Sequence, residues 1–224
     1  MPLPREALSP GEFPRLRILL NSDGIPPDGR SRSRRARCVV RIWVGLTGPN
    51  ASGKGEVALY LGSHGFSLHS LSDVVREEAA RQGLDATRDS LIRTGTYLRE
   101  RYGSGALAER ILPLLGERSV VDSIRNPGEI DVLRRSPGFH LLGVDAPVEL
   151  RFERSRRRGR AGDGPTLAEF VRKEEMEKAG EGPGQQLAVC LSLADIVIFN
   201  DGTLGDLHRR VREALAARGV SLPG

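Results

Sequence analysis

Arg41-Ile42-Trp43-Val44-Gly45-Leu46-Thr47-Gly48-Pro49-Asn50-Ala51-Ser52-Gly53-Lys54-Gly55 joins an apolar run to a glycine-framed turn, and a lysine opens the stretch that follows. The spacing Gly48-x-x-x-x-Gly53-Lys54 is that of a phosphate-binding P-loop. In such a turn successive backbone N–H groups point inward as an anion cradle, and glycine lets the backbone close on the phosphates. The helix behind the turn adds about half a positive charge at its N-terminus. Gly48, Asn50, Ala51, Ser52, Gly53, Lys54, Gly55 and Glu56 are therefore the expected nucleotide-binding residues, with Lys54 reaching the β- and γ-phosphates of ATP. Many P-loops place Ser or Thr after the lysine to hold magnesium. Gly55-Glu56 stands there instead, so Mg²⁺ depends more on a carboxylate elsewhere.

Outward from this turn, short apolar runs alternate with longer amphipathic stretches, the pattern of an α/β sheet with crossover helices. Strand one is expected over 39–46 and its helix over about 53–63. Strand two follows at 66–71. Three helical stretches come next, carrying Leu71, Val74, Val75 and Ala79, then Leu91, Ile92, Gly95 and Leu98, then Leu107, Ala108, Ile111 and Leu115. Ser119-Val120-Val121-Asp122 is nearly continuous in apolar residues, as a buried parallel strand should be. Strands four and five are expected at 140–144 and 195–199, and a last helix at about 203–217.

Several polar residues fall where such a sheet binds ligands, in the crevice beyond the carboxyl ends of its strands. Asp122 ends strand three and is placed to hold magnesium, or else to cap the turn before a helix at 127–135. Arg125 either forks onto an acceptor phosphate or pairs with Glu129. Asp73 touches the acceptor or the metal, or simply favours a helix N-terminus. Arg76, Arg88, Arg93 and Arg99 lie on the helices beyond, and Arg88 and Arg99 flank Gly95 on one face. A glycine inside a helix costs about 1 kcal/mol relative to alanine, so Gly95 suggests a close approach by something.

After strand four, a helix is expected from Val148 with Val148 and Phe152 towards the core and Arg151, Arg154 and Arg158 on a neighbouring stripe. It runs into a flexible stretch at 159–164. A cationic helix end beside a hinge suits a closing lid whose arginines (Arg154, Arg157 or Arg158) neutralise a transferring group; a solvated charge run is the plainer alternative. Strand five ends at Asn200, whose turn is expected to pass the adenine base.

Composition narrows the classes. No apolar run approaches a membrane-spanning length, so no membrane partner is expected. Two cysteines, Cys38 and Cys190, make no disulfide framework and suit a reducing, cytoplasmic location. The histidines His64, His69, His140 and His208 show no metal-ligand spacing. The net charge is +5, of which residues 1–37, with eight arginines against four acidic residues, hold +4. The basic character thus belongs to a tail rather than to the domain, and the expected organisation is a disordered tail, 1–37, and one domain, 38–224. No specific nucleic acid is expected; weak RNA contact by the tail stays open.

Together GLTGPNASGKG (45–55), SLSDVVREE (70–78), VVDSIRNPGE (120–129), VDAPVELRFERSRRRGR (144–160) and ADIVIFNDGTLGDL (194–207) resemble the P-loop nucleoside-monophosphate kinases and dephospho-CoA kinases. RDSLIRTGTYLRERYGSGALA (88–108) with VVDSIRNPGE looks most like the kinase-like half found next to some deoxycytidylate deaminases, and like uncharacterised nucleotide kinase-like ATPases. No deaminase zinc signature is present, so that activity does not carry over. The resemblance implies a P-loop NTPase fold: three layers, α/β/α, around a five-stranded parallel sheet, with a helical acceptor-binding insertion after strand two and an arginine lid. It implies ATP and Mg²⁺ as cofactors. The expected activity is phosphoryl transfer to a small nucleotide-like acceptor, with Lys54, Asp122, Arg154 and Arg158 at the chemistry and Asp73, Arg76, Arg88, Arg99 and Arg125 at the acceptor. A (deoxy)nucleoside monophosphate is the favoured acceptor. A ribose hydroxyl as in dephospho-CoA, or an ATP-binding regulatory module without turnover, are the alternatives.

Overall fold

The computed structural model describes residues 41–159, 164–178 and 184–223. The expected basic tail, the first residues of strand one and most of the 159–164 stretch lie outside them. Strand β1 (Ile42–Thr47) leads through the glycine turn into helix α1 (Lys54–Ser63). Strand β2 (Ser67–Ser70) is followed by helices α2 (Leu71–Arg81), α3 (Arg88–Tyr102) and α4 (Ala106–Ile111), the last running into a 3₁₀ turn at Leu112–Leu114. Then come β3 (Arg118–Ile124), α5 (Pro127–Leu133), β4 (Phe139–Asp145) and α6 (Val148–Arg158). Helices α7 (Leu167–Lys178) and α8 (Leu187–Ser192), strand β5 (Ile196–Phe199) and α9 (Leu204–Ala216) complete the order.

The five strands pair in parallel in the order β2-β3-β1-β4-β5, so β1 lies at the centre between β3 and β4. Period-two alternation along the inner strands divides the core between two faces. Val44, Leu46, Val120, Leu142 and Val144 meet α1 and α9 through Val57, Leu61, Leu207, Val211 and Leu215. Trp43, Val121, Ile124 and Leu141 meet α2 to α5 and α8 through Leu71, Val75, Leu98, Leu107, Ile130 and Cys190. Each fully buried aliphatic side chain contributes about 2 kcal/mol on this count. The result is the expected three-layer α/β/α arrangement, with a bundle of helices after β2.

Two departures from the sequence reading matter. Between β4 and β5 the chain forms helices α7 and α8 in addition to α6. On α6, Val148 and Phe152 are only half-buried, while Arg151 and Ser155 are the buried residues. Arg151 turns inward because Glu174 of α7 accepts from its Nη1, the Ala146 carbonyl accepts from its Nε at 2.8 Å, and Phe170 lies beneath its guanidinium. The buried ion pair thereby joins α6 to α7.

Candidate active site

The loop between β1 and α1 owes its shape to two glycines. Gly48 has φ +135° and Gly53 φ +108°. A Cβ on Gly48 would fall 2.1 Å from the Val144 carbonyl oxygen, and one on Gly53 would fall 2.2 Å from Asn200 Nδ2. No side chain fits at either point. Ala51 also takes a left-handed conformation, φ +58°. Asn200, at the end of β5, donates from Nδ2 to the Ser52 carbonyl at 2.9 Å and so braces the loop. The Asn200 side chain is thus committed to the loop, and any contact with the adenine at this turn falls to backbone groups.

Lys54 is 9% exposed and folds back over the turn, donating to the carbonyls of Gly48 at 2.8 Å and Pro49 at 2.7 Å. Burial lowers its pKa from the usual 10.5 to about 8. Asp122 works against the shift, whereas Arg125, Arg158 and Arg151 add to it. Those influences put four of the polar residues named above within electrostatic reach of one ammonium. A bound polyphosphate would restore the proton, because an anion beside the amine raises its pKa. Binding of MgATP should therefore take up about half a proton at pH 8 and little at pH 7, and affinity should weaken as pH rises above about 8. Calorimetry in buffers of different ionisation heat measures this. Equal proton uptake at both pH values, or the same uptake in Lys54→Met, would contradict it.

At the end of β3 the pairing with β1 slips between Gly45 and Thr47, and Ser123 adopts φ +66°. Thr47 Oγ1 fixes this irregularity by donating to the Ile124 carbonyl at 3.0 Å. Such a slip re-aims the neighbouring side chains. Asp122 Oδ2 accepts from Ser123 Oγ at 3.3 Å, and Ser70 Oγ donates to Ser123 Oγ at 3.4 Å. Asp122 Oδ1 is buried and has no hydrogen-bond partner.

Among the described residues five buried side-chain atoms lack a partner, and three of them belong to this site: Asp122 Oδ1, Ser52 Oγ of the loop and Arg154 Nη1. Arg154 reaches the loop's brace, donating from Nη2 to the Asn200 carbonyl at 3.1 Å. Unpaired buried polar atoms are costly, so their grouping marks a place built for a polar ligand. The group fits a magnesium nucleotide. Asp122 offers a carboxylate oxygen, and no trio of His, Cys, Asp or Glu among the described residues could hold a metal alone. Mg²⁺ is commonly held by one or two carboxylates with phosphate oxygens and waters.

The other expected residues divide. Arg158 meets the loop directly, donating from Nη2 to Asn50 Oδ1 at 2.9 Å. Arg125 leaves the end of β3 and donates to Gln185 Oε1 at 2.8 Å. Gly55 and Glu56 are exposed on the first turn of α1. Asp73 and Arg76 form an exposed pair at 2.5 Å on α2, and Arg88 opens α3 behind the Thr87 cap. Arg99 is a correction. It is 4% exposed and spends Nε and Nη2 on Glu129 Oε1 at 2.9 and 2.7 Å, so it is walled off from a ligand. Glu129 thereby pairs with Arg99 rather than with the Arg125 side chain. The pairing spans 30 residues, so a helical-face pattern could not find it. The signal that was available is the Asn126-x-x-Glu129 capping box at the start of α5.

No helix among the described residues is long and apolar enough to cross a membrane. No protein-family model matches the chain. Among solved structures, TT1252 from Thermus thermophilus superposes with a TM-score of 0.57 at 23% identity, over 81% of this chain and 99% of that one. Shikimate kinase from Acinetobacter baumannii superposes with a TM-score of 0.54 at 14% identity, over 81% and 96%. Both share the fold. A UPF0200 protein of Pyrococcus horikoshii is 33% identical over 180 residues, which are 76% of this chain and 94% of that protein. On that similarity the chain belongs to the UPF0200 family.

Proposed function

We propose that the chain transfers the γ-phosphoryl group of ATP to a small nucleotide-like acceptor. The observation that carries this reading is the convergence of the buried, unpartnered oxygen of Asp122 on the P-loop lysine. Loop N–H groups and Lys54 bind the donor phosphates. Asp122 with Ser52 would hold Mg²⁺, which supplies charge neutralisation between the phosphates. Arg154 and Arg158, on the helix above the loop, stabilise charge on the transferring group and exclude water. Phosphoryl transfer asks little more of a protein than such positioning and charge stabilisation. The shikimate kinase named above supports the reading only at the level of fold.

For the acceptor, a (deoxy)nucleoside monophosphate remains the first reading. Arg76 is released easily, because an exposed ion pair is worth about 0–1 kcal/mol, and Arg88 and Arg125 are the further cations available to this reading. A hydroxyl acceptor, as in dephospho-CoA, is the second reading. The sequestration of Arg99 favours it by removing one phosphate clamp, and the exposed carboxylate of Asp73 could take the hydroxyl proton. A coupled ATP-consumption assay over a panel of monophosphates and dephospho-CoA tests both. Turnover with monophosphates, weakened mainly in KM by Arg76→Ala, supports the first; turnover confined to dephospho-CoA supports the second. Tight MgATP binding with no turnover on any acceptor would leave the regulatory alternative instead.

A further inference from the structure

Glu129, the third residue of α5, is 0% exposed and makes hydrogen bonds through both carboxylate oxygens. Oε1 accepts twice from Arg99, and Oε2 accepts from the backbone N–H of Arg125 at 2.8 Å and of Asn126 at 3.1 Å. The carboxylate thus clasps the two residues that follow β3 and ties them to the last turn of α3. Gly95 belongs to the same arrangement. A Cβ there would lie 3.3 Å from Arg99 Nη1, so the glycine leaves room for the guanidinium. On its other side the clasped segment is held by the stretch before α8. Asn126 Nδ2 donates to the Gly184 carbonyl, and Gln186 N–H donates to the Arg125 carbonyl.

Stability does not account for this pair. Taking both charges out of water offsets most of their attraction, and well-packed apolar residues of similar volume serve a core at least as well. What an apolar pair cannot do is accept two backbone N–H groups at a chosen point. That point is three residues beyond Asp122, and it carries Arg125.

We propose that Arg99 and Glu129 are positioning residues. Through the Arg125 and Asn126 amides they hold the Asp122 end of β3 in register with α3, and they govern the rate of phosphoryl transfer rather than nucleotide affinity. The kinetic part rests on the phosphoryl-transfer reading; the hold on the two amides does not.

The test uses the full chain and four forms: wild type, Arg99→Lys, Glu129→Gln and the double variant Arg99→Leu/Glu129→Leu. MgATP is the probe for binding and for turnover, with the acceptor panel present. In the double variant, which leaves no unpaired charge, turnover should fall at least tenfold through kcat, with the MgATP dissociation constant within about twofold of wild type. Arg99→Lys keeps a cation beside Glu129 and should recover most of the rate. Amide exchange at Arg125 and Asn126 should quicken at least tenfold in the double variant, while the amides of β1 stay protected. If the double variant does not fold, Glu129→Gln carries the same comparison, with a smaller loss expected because one acceptor oxygen remains. A folded double variant with wild-type turnover and unchanged protection of the two amides would overturn the proposal. Wild-type protein that binds no MgATP would overturn its kinetic part, and amide exchange would then decide the hold on β3 by itself.

Discussion

Replacing Lys54 with methionine should lower phosphoryl transfer by about three orders of magnitude while leaving the fold intact. The rate loss follows from the chemistry. A single preorganised donor aimed at developing charge in a water-poor site is worth about 10²–10³ in rate, and a full positive charge on a transferring phosphoryl group about 10³–10⁵. The intact fold follows from the state of the lysine. Its ammonium is buried, its pKa is already depressed to about 8, and it bonds only two loop carbonyls. Methionine keeps the apolar stem and removes a charge whose burial is unfavourable, so the melting temperature should move by no more than a few degrees. Arginine should not rescue activity, because a planar fork cannot follow a compact ammonium between the carbonyls of Gly48 and Pro49. Steady-state kinetics beside a thermal melt separates the two effects. A Lys54→Met protein with more than about a tenth of wild-type turnover would remove the lysine from the chemistry.

Gly48→Ala should be strongly destabilising for a change of one methyl group. At φ +135° any L side chain is strained, by about 1–3 kcal/mol. The added Cβ would also fall 2.1 Å from the Val144 carbonyl, and that oxygen sits on β4 in the middle of the sheet and cannot swing away. Overpacking against fixed backbone costs about another 1–3 kcal/mol. Together these come to about 4 kcal/mol, or a melting temperature lower by about 10 °C for a chain of this size. Gly55→Ala is the internal control. Its Cβ would meet nothing within 4 Å, and alanine in a helix is better than glycine by about 0.8 kcal/mol, so that variant should be slightly stabilised. Differential scanning calorimetry on the two variants distinguishes a steric loop from a merely flexible one. Equal melting temperatures would show that Gly48 tolerates a side chain.

The two variants also mark where the sequence is readable. Gly48, Gly53 and Lys54 declare themselves because a phosphate cradle requires glycine and lysine at fixed spacing, a demand that lies within one stretch of chain. The inner strands are legible for a similar local reason, since β1, β3 and β4 each carry a short buried apolar run, whereas β2 (Ser67–Ser70) is polar and largely exposed and is marked mainly by its place between two helical stretches. Asp122 could be placed because a carboxylate directly after such a run must fall at the mouth of the sheet. The arginines were harder. Arg99 and Arg151 lie on helical faces that a sequence can lay out, and those faces read as cationic and open to a ligand. Their partners, Glu129 and Glu174, stand 30 and 23 residues away and belong to other helices. Helical periodicity describes one element at a time, so it cannot tell an arginine facing a ligand from one buried against a distant glutamate. Helix α7 is faint in the sequence because its charged residues leave only a thin apolar stripe around Phe170. The slip in β3 at Ser123 had no sequence signal at all, as serine is an unremarkable strand residue and its left-handed conformation is imposed by packing around Thr47.

Titration of the full chain with MgATP, read by calorimetry and by thermal shift, tests the central claim most directly. If the amides between Gly48 and Lys54 cradle a polyphosphate, saturable heat should appear, and at a hundredfold excess over the dissociation constant the fold should gain about 2.7 kcal/mol. For a domain of this length that is an upward shift of about 5–10 °C. A flat titration and an unmoved melting curve, with ATP and with GTP at millimolar concentration, would contradict it.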